Sequence, residues 1–168
     1  MEDLVSYQVS TMHYTRIMIA VDDDDFVSSR RAFDYACTVA KVYNIPLAVT
    51  MVLETGDLNI FQSLSLDTIN KRRAEITADL NTYCEKAREF GVEDVTPILA
   101  EGSPSHEIVE TVIPDFRPDL LVIGSETKPG KRKTIGTQAA YIAHYAPCSV
   151  IVVRSDSQIT RMLKDFEK

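Results

Sequence analysis

Four short apolar runs that do not alternate constrain this chain more than any other feature. They are Ile17-Met18-Ile19-Ala20-Val21, Leu47-Ala48-Val49-Thr50-Met51-Val52-Leu53, Leu120-Leu121-Val122-Ile123 and Val150-Ile151-Val152-Val153. A strand with one wet face alternates polar and apolar side chains. A run that is apolar at nearly every position needs cover on both faces, which in so short a segment marks a parallel strand between helix layers. The intervening segments carry the helical period. Phe33, Ala36, Cys37, Ala40 and Tyr43 recur every three or four residues before Asn44 and Pro46 stop the helix. After a loop with Gly56 and several serines, Ile69, Ile76, Leu80, Tyr83, Ala87 and Phe90 form the face of a long helix closed by Gly91.

Residues Val92 to Ala100 are predicted as a further strand, and Gly102-Ser103-Pro104 turns the chain into a helix presenting Ile108, Val109, Val112 and Ile113. Pro114 is expected to end or kink that helix. Asp119 to Gly124 is the fourth strand, a polar basic loop runs to Gly136, a helix follows through Ala146, and Cys148 to Arg154 is the fifth strand. Strands alternating with helices through right-handed crossovers specify an α/β fold: an open, doubly wound, five-stranded parallel sheet of order 3-2-1-4-5 with helices on both faces. The 168 residues suit one domain. Residues 1–13 read as a flexible arm, 14–154 as the domain, and 155–168 as a polar, partly helical tail.

Several function classes drop out. No apolar run approaches the roughly 20 residues of a membrane span. Met1-Glu2-Asp3-Leu4 has acids where a secretory signal has basic residues, so a cytoplasmic address is expected. Cys37, Cys84 and Cys148 form no C-x-x-C pair and stand at no metal-ligand spacing with His13, His106 or His144, so they read as small buried hydrophobes. The chain contains neither a G-x-S-x-G elbow nor the two common glycine-rich phosphate fingerprints.

In such a sheet ligands sit beyond the carboxyl ends of the strands where the winding reverses, here between the first and fourth strands. The first strand runs into Asp22-Asp23-Asp24-Asp25, of which Asp24 or Asp25 is expected to cap the next helix rather than hold a metal. The fourth runs into Gly124-Ser125-Glu126-Thr127-Lys128-Pro129-Gly130-Lys131-Arg132-Lys133-Thr134-Ile135-Gly136-Thr137. Its four cations stand out because the net charge of the chain is −7; without them 14 basic side chains face 25 acidic ones. That background argues against nucleic acid, which needs a broad basic face, but not against a small polyphosphate. The glycines allow close backbone approach to an anion, and Gly136-Thr137 opens a helix whose positive end favours phosphate.

Several of these segments carry a resemblance. Ile19-Ala20-Val21-Asp22, Gly102-Ser103-Pro104, Asp119-Leu120-Leu121-Val122-Ile123-Gly124-Ser125 and His144-Tyr145-Ala146-Pro147-Cys148-Ser149-Val150-Ile151-Val152-Val153 stand in the order found in universal stress proteins. The chain resembles that family from Arg16 to Arg154. The resemblance implies the same doubly wound sheet, a homodimer formed through the last strand (Ser149–Val153), and, in one branch, ATP binding with Mg²⁺. It implies a nucleotide site drawn from Ala20, Val21, Asp22, Val52, Gly124, Ser125, Thr127, Gly130, Lys133, Gly136, Thr137 and Gln138. The ATP-binding pattern is departed from at Thr127, which replaces the second glycine, at Gly136-Thr137, which arrive one residue early, and at Asp23 to Asp25, which replace small residues. The implied role is a stress-response sensor with at most slow ATP hydrolysis, since no general base is assignable. Two alternatives remain: a nucleotide-free member acting through protein interactions, its crevice closed by Asp–Lys pairing, and an adenylate-forming enzyme, which lacks here its S-G-G-x-D-S loop.

Overall fold

A computed structural model describes residues 3–22, 24–55, 65–125 and 135–167. In chain order the elements are β1 (Ile17–Ala20), α1 (Phe26–Tyr43), β2 (Leu47–Glu54), α2 (Leu66–Phe90) and β3 (Val95–Gly102). Then come α3 (Pro104–Glu107), a π-helical turn (Ile108–Val112), α4 (Ile113–Phe116), β4 (Leu120–Gly124), α5 (Thr137–Tyr145), β5 (Ser149–Val153) and α6 (Asp156–Phe166). The five strands form one sheet of order β3-β2-β1-β4-β5, parallel at every pair, with Ile17 opposite both Leu47 and Leu120. This is the expected α/β architecture and strand order.

The non-alternating runs are covered on both sides. Ile17, Ile19, Val49, Met51, Leu120 and Val122 pack with Ala32, Phe33, Ala36 and Ala40 of α1 and Ile76, Leu80, Cys84 and Ala87 of α2. Met18, Ala48, Leu121 and Ile123 pack on the opposite face with Ile108, Val109, Val112, Ile113, Phe116, Ala139 and Ile142. Both edges of the sheet are marked. β3 carries Pro97, which cannot donate to a ladder and so suits an edge strand, while β5 stays half-buried from Val150 to Val153.

Two expectations are corrected. β3 starts at Val95 rather than Val92, because the Val92 N–H closes the end of α2 on the Ala87 carbonyl (3.0 Å) and its side chain is buried beneath that turn. Phe90 is half-exposed with the Lys41 ammonium 4.6 Å above its ring, and Cys84 takes the core position instead. At Pro114 the helix is distorted rather than ended, the second of the two outcomes expected there, and it continues to Phe116. The preceding turn widens to a π-turn, with Ile113 N–H bonding to the Ile108 carbonyl, and so absorbs the residue that cannot donate. The segment after Arg154 is helical from Asp156 to Phe166 and is anchored, since Ser155 and Gln158 are buried and α6 begins on a capping box.

Two contacts hold the sheet in place. At its amino end the Asp119 carboxylate accepts from the Thr15 N–H (2.7 Å), the Thr15 hydroxyl (2.9 Å) and the Arg16 N–H (2.9 Å), tying the root of β1 to β4. Burial opposes ionisation of this carboxyl, but those donors outweigh it and hold its pKa below the ordinary value. At the carboxyl end, α1 lies so close to β4 that a Cβ on Gly124 would sit 2.7 Å from the Ser28 carbonyl oxygen.

Gly124→Ala should therefore force α1 off the sheet and lower the unfolding free energy by about 1–3 kcal/mol in urea titrations. Asp119→Asn keeps one acceptor oxygen but sets an N–H₂ against the Thr15 or the Arg16 N–H, whichever way the amide turns, so it should be destabilised at neutral pH. The wild-type advantage is fully present above the unfolded carboxyl value of about 3.9 and is lost as pH falls through the lower folded value. Thermal midpoints of wild type and Asp119→Asn should therefore converge at acid pH; a constant gap would contradict the assignment.

Candidate functional site

The carboxyl ends of β1, β2 and β4 meet the start of α1 on one face and α3 and α5 on the other. Side chains alternate along β2, so Ala48, Thr50 and Val52 point to the α3–α5 side while Val49 and Met51 point to α1 and α2. On the α3–α5 side, Ala20, Val52, Ala100 and Ile135 pack on the core yet remain partly exposed, forming an apolar floor. Thr50 belongs to the same face, beside Ala20 and two residues before Val52. It is fully buried, and its hydroxyl has no hydrogen-bond partner among the described residues, an arrangement that ordinarily costs about 1–3 kcal/mol.

The rim of this crevice is polar. Asp22 is exposed; its backbone N–H donates to the Ser29 hydroxyl (3.0 Å), and its Oδ1 accepts from the Asp24 N–H (3.0 Å). Asp25 caps α1, its Oδ1 accepting from the Ser28 N–H (3.1 Å), as expected for one of the two candidates. Asp24 faces away toward Arg72 of α2 at 3.6 Å. Across the crevice Gly136 has φ +87°, a conformation that favours glycine, and precedes the nine-residue α5. Thr137 and Gln138 are exposed at that helix start.

The structure thus brings Ala20, Asp22, Val52, Gly124, Gly136, Thr137 and Gln138 of the sequence-derived site to one end of the sheet. Val21, Ser125 and Gln138, also of the sequence-derived site, have other engagements. The Val21 side chain is buried in the opposite core layer, and its N–H donates to the Thr50 carbonyl (2.9 Å). Ser125 is fully buried, its N–H donating to the Val153 carbonyl (3.1 Å) and its hydroxyl to the Gln158 Oε1 (2.7 Å). The Gln138 Oε1 accepts from the Ser105 N–H (3.0 Å), joining the starts of α3 and α5. Gly124 needs its missing Cβ for α1 in this structure rather than for a ligand. Thr127, Gly130 and Lys133 lie outside the described residues, as do Lys128, Lys131, Arg132, Asp23 and the loop containing Gly56.

Sequence reasoning missed Thr50 and Ala100. Nothing in an apolar run signals that its one hydroxyl will be left without a partner.

No nucleophile presents itself among the described cysteines. Burial, with Asp34 and Cys84 nearby, pushes the Cys37 thiol up to about 12. Burial also raises Cys84, against the nearby Arg88, and it raises the half-buried Cys148 together with Asp119. Among the described residues no group of three or more His, Cys, Asp or Glu converges on a metal position, and no helix is long and apolar enough to cross a membrane. Two cavities lie elsewhere. One of about 570 Å³, lined by Tyr14, Asp119, Pro147 and Cys148, sits at the amino ends of β4 and β5; one of about 220 Å³, lined by Phe26, Met51, Tyr83 and Lys86, lies between α1 and α2.

Comparison with known proteins converges on one family. The model of the universal stress protein family matches residues 13–154. A Staphylococcus aureus (strain USA300) protein of that name is 30% identical over 144 residues, covering 85% of this chain and 86% of its own. A universal stress protein solved in complex with cAMP is similar in fold, with a TM-score of 0.64 and 20% identity over 86% of this chain and 100% of its own. The Archaeoglobus fulgidus universal stress protein in complex with dAMP gives 0.61 and 22% over 84% and 98%. With the sheet order, the motifs and the family model all matching along the same span, the chain belongs to the universal stress protein family.

Proposed function

We propose that this chain binds an adenine nucleotide, ATP or a related one, in the crevice between β1 and β4, and serves as a cytoplasmic stress-response sensor built as a homodimer. One observation carries the reading: a partly exposed apolar floor of Ala20, Val52, Ala100 and Ile135 beside the orphaned Thr50 hydroxyl. A flat, apolar purine with polar edges suits such a surface. The cAMP and dAMP complexes of two proteins with this fold support adenine as the base.

On this reading Ala20 and Val52 hold the base, and the exposed Asp22 carboxylate accepts from a ribose hydroxyl. Gly136 and Thr137 turn backbone N–H groups toward phosphate at the start of α5. Lys133, with Thr127 and Gly130, would add charge and donors from the segment outside the described residues. Mg²⁺ would accompany a triphosphate through phosphate oxygens and water. The described aspartates fit this, since Asp24 and Asp25 are engaged with Arg72 and Ser28 rather than grouped as a chain-borne metal cage. Turnover is no more than slow ATP hydrolysis. The half-buried edge strand β5 supports a partner strand there.

A second reading, a nucleotide-free member acting through protein contacts, is favoured by the internal engagement of Ser125 and Gln138. Acid extraction of the purified protein followed by chromatography separates the two. We expect bound adenine nucleotide, or a midpoint raised by about 5–10 °C when Mg-ATP exceeds its Kd about a hundredfold. Absence of both outcomes would refute the binding reading. Gly136→Ala combined with Lys133→Ala should weaken binding at least about tenfold, a loss of roughly 1.4 kcal/mol; full affinity would place the nucleotide elsewhere. Sedimentation equilibrium should give twice the 18.8 kDa chain mass, and a monomer would exclude the strand-mediated dimer.

A further inference from the structure

The family match ends at Arg154, so α6 lies beyond it. Yet the first turn of α6 is built into the candidate site. The Gln158 Oε1 accepts both the Ser125 hydroxyl (2.7 Å) and the Ser155 N–H (3.0 Å), and the Gln158 N–H returns to the Ser155 hydroxyl (3.3 Å). All three residues are buried: Ser125 at 0%, Gln158 at 4% and Ser155 at 5% exposure. Ser125 directly follows Gly124, whose position is set by Ser28 of α1. Arg31, also on α1, ion-pairs with Asp156. β4 and α1, which both border the crevice, therefore hold the first turn of α6.

Beyond that turn the hold loosens. Ile159 and Met162 are only half-buried, the Met162 sulfur accepting from Arg154 Nη1 at 3.6 Å, and Leu163 and Phe166 are 58% and 76% exposed. A helix whose buried polar bonds gather in its first turn tends to open as a unit. Separating Gln158 from Ser125 strands buried donors and acceptors together, so partial release is disfavoured.

We propose that Gln158 is a positioning residue that couples α6 to occupancy of the crevice, so that nucleotide binding tightens the C-terminal helix and the docked helix tightens nucleotide binding. The proposal rests on the nucleotide reading above. Nucleotide seated against the carboxyl end of β4 restrains the Gly124–Ser125 backbone, and Ser125 passes that restraint to α6 through the Gln158 Oε1. Linkage makes the effect reciprocal: the factor by which nucleotide slows opening of α6 equals the factor by which docking of α6 raises affinity.

Hydrogen–deuterium exchange of residues 156–166 in the full chain, with AMP and Mg-ATP as probes, together with calorimetry, tests this. Wild type should show exchange slowed about fivefold or more by nucleotide. Gln158→Ala should exchange fast with or without nucleotide and bind at least about fivefold more weakly. Gln158→Glu keeps an acceptor for both Ser125 and Ser155 and should retain the slowing. Arg31→Ala removes only the Asp156 pair; it should speed exchange yet keep the nucleotide dependence, which a merely structural role for Gln158 would not distinguish. Nucleotide binding to wild type without any change in α6, or slowing that persists in Gln158→Ala, would overturn the coupling alone. No binding heat with wild type would overturn the nucleotide reading and the coupling with it.

Discussion

The closest approach that the carboxyl end of the fold depends on is that of α1 to β4, where the space of a single methyl group is missing. Gly124 ends β4 directly against the Ser28 carbonyl, so α1 can settle onto the sheet only because no Cβ intervenes. The consequences run outward from that contact. Ser29, one residue on, bonds the Asp22 backbone at the end of β1, Asp25 caps the same helix, and Arg31 reaches Asp156 at the start of α6. One close packing contact thus sets the position of the rim of the crevice and of the C-terminal helix together.

The two ends of the sheet carry different duties. The amino end is locked by the Asp119 carboxylate, which gathers donors from Thr15 and Arg16. The carboxyl end carries the apolar side chains of Ala20, Val52 and Ala100 and leaves the Thr50 hydroxyl unsatisfied among the described residues. An orphaned hydroxyl beside partly exposed apolar surface is a locally unfavourable arrangement, the kind that tends to persist where a site serves binding. The polar ties are concentrated at one end, and the unsatisfied group is left at the other.

Much of this was legible in the residues. Apolar runs without alternation required cover on both faces, and the helical spacing of Phe33 to Ala40 and of Ile76 to Ala87 supplied it, so layers and strand order followed. Boundaries were less legible because they hinge on single hydrogen bonds. Val92 looks like strand but closes a helix, and Pro114, legible as a stop or a kink, turns out to be absorbed by a π-turn. Phe90 has the right spacing for the core, yet it lies at the frayed edge of the packing, under Lys41.

For the site, the sequence by itself determined which end of which strands would meet and which residue types would stand there, because parallel order and crossover handedness leave one switch point. Tertiary structure alone decided how those residues are employed. Ser125 sits in a motif that suggests phosphate, but its hydroxyl is taken by Gln158 from thirty-three positions away, and Gln138 is taken by Ser105. A short polar side chain bonds whatever donor or acceptor the packing brings within about 3 Å, and such distances are fixed by the layers rather than by local sequence. The apolar pattern therefore reads as architecture, while the use of each polar group becomes visible only when the layers have closed.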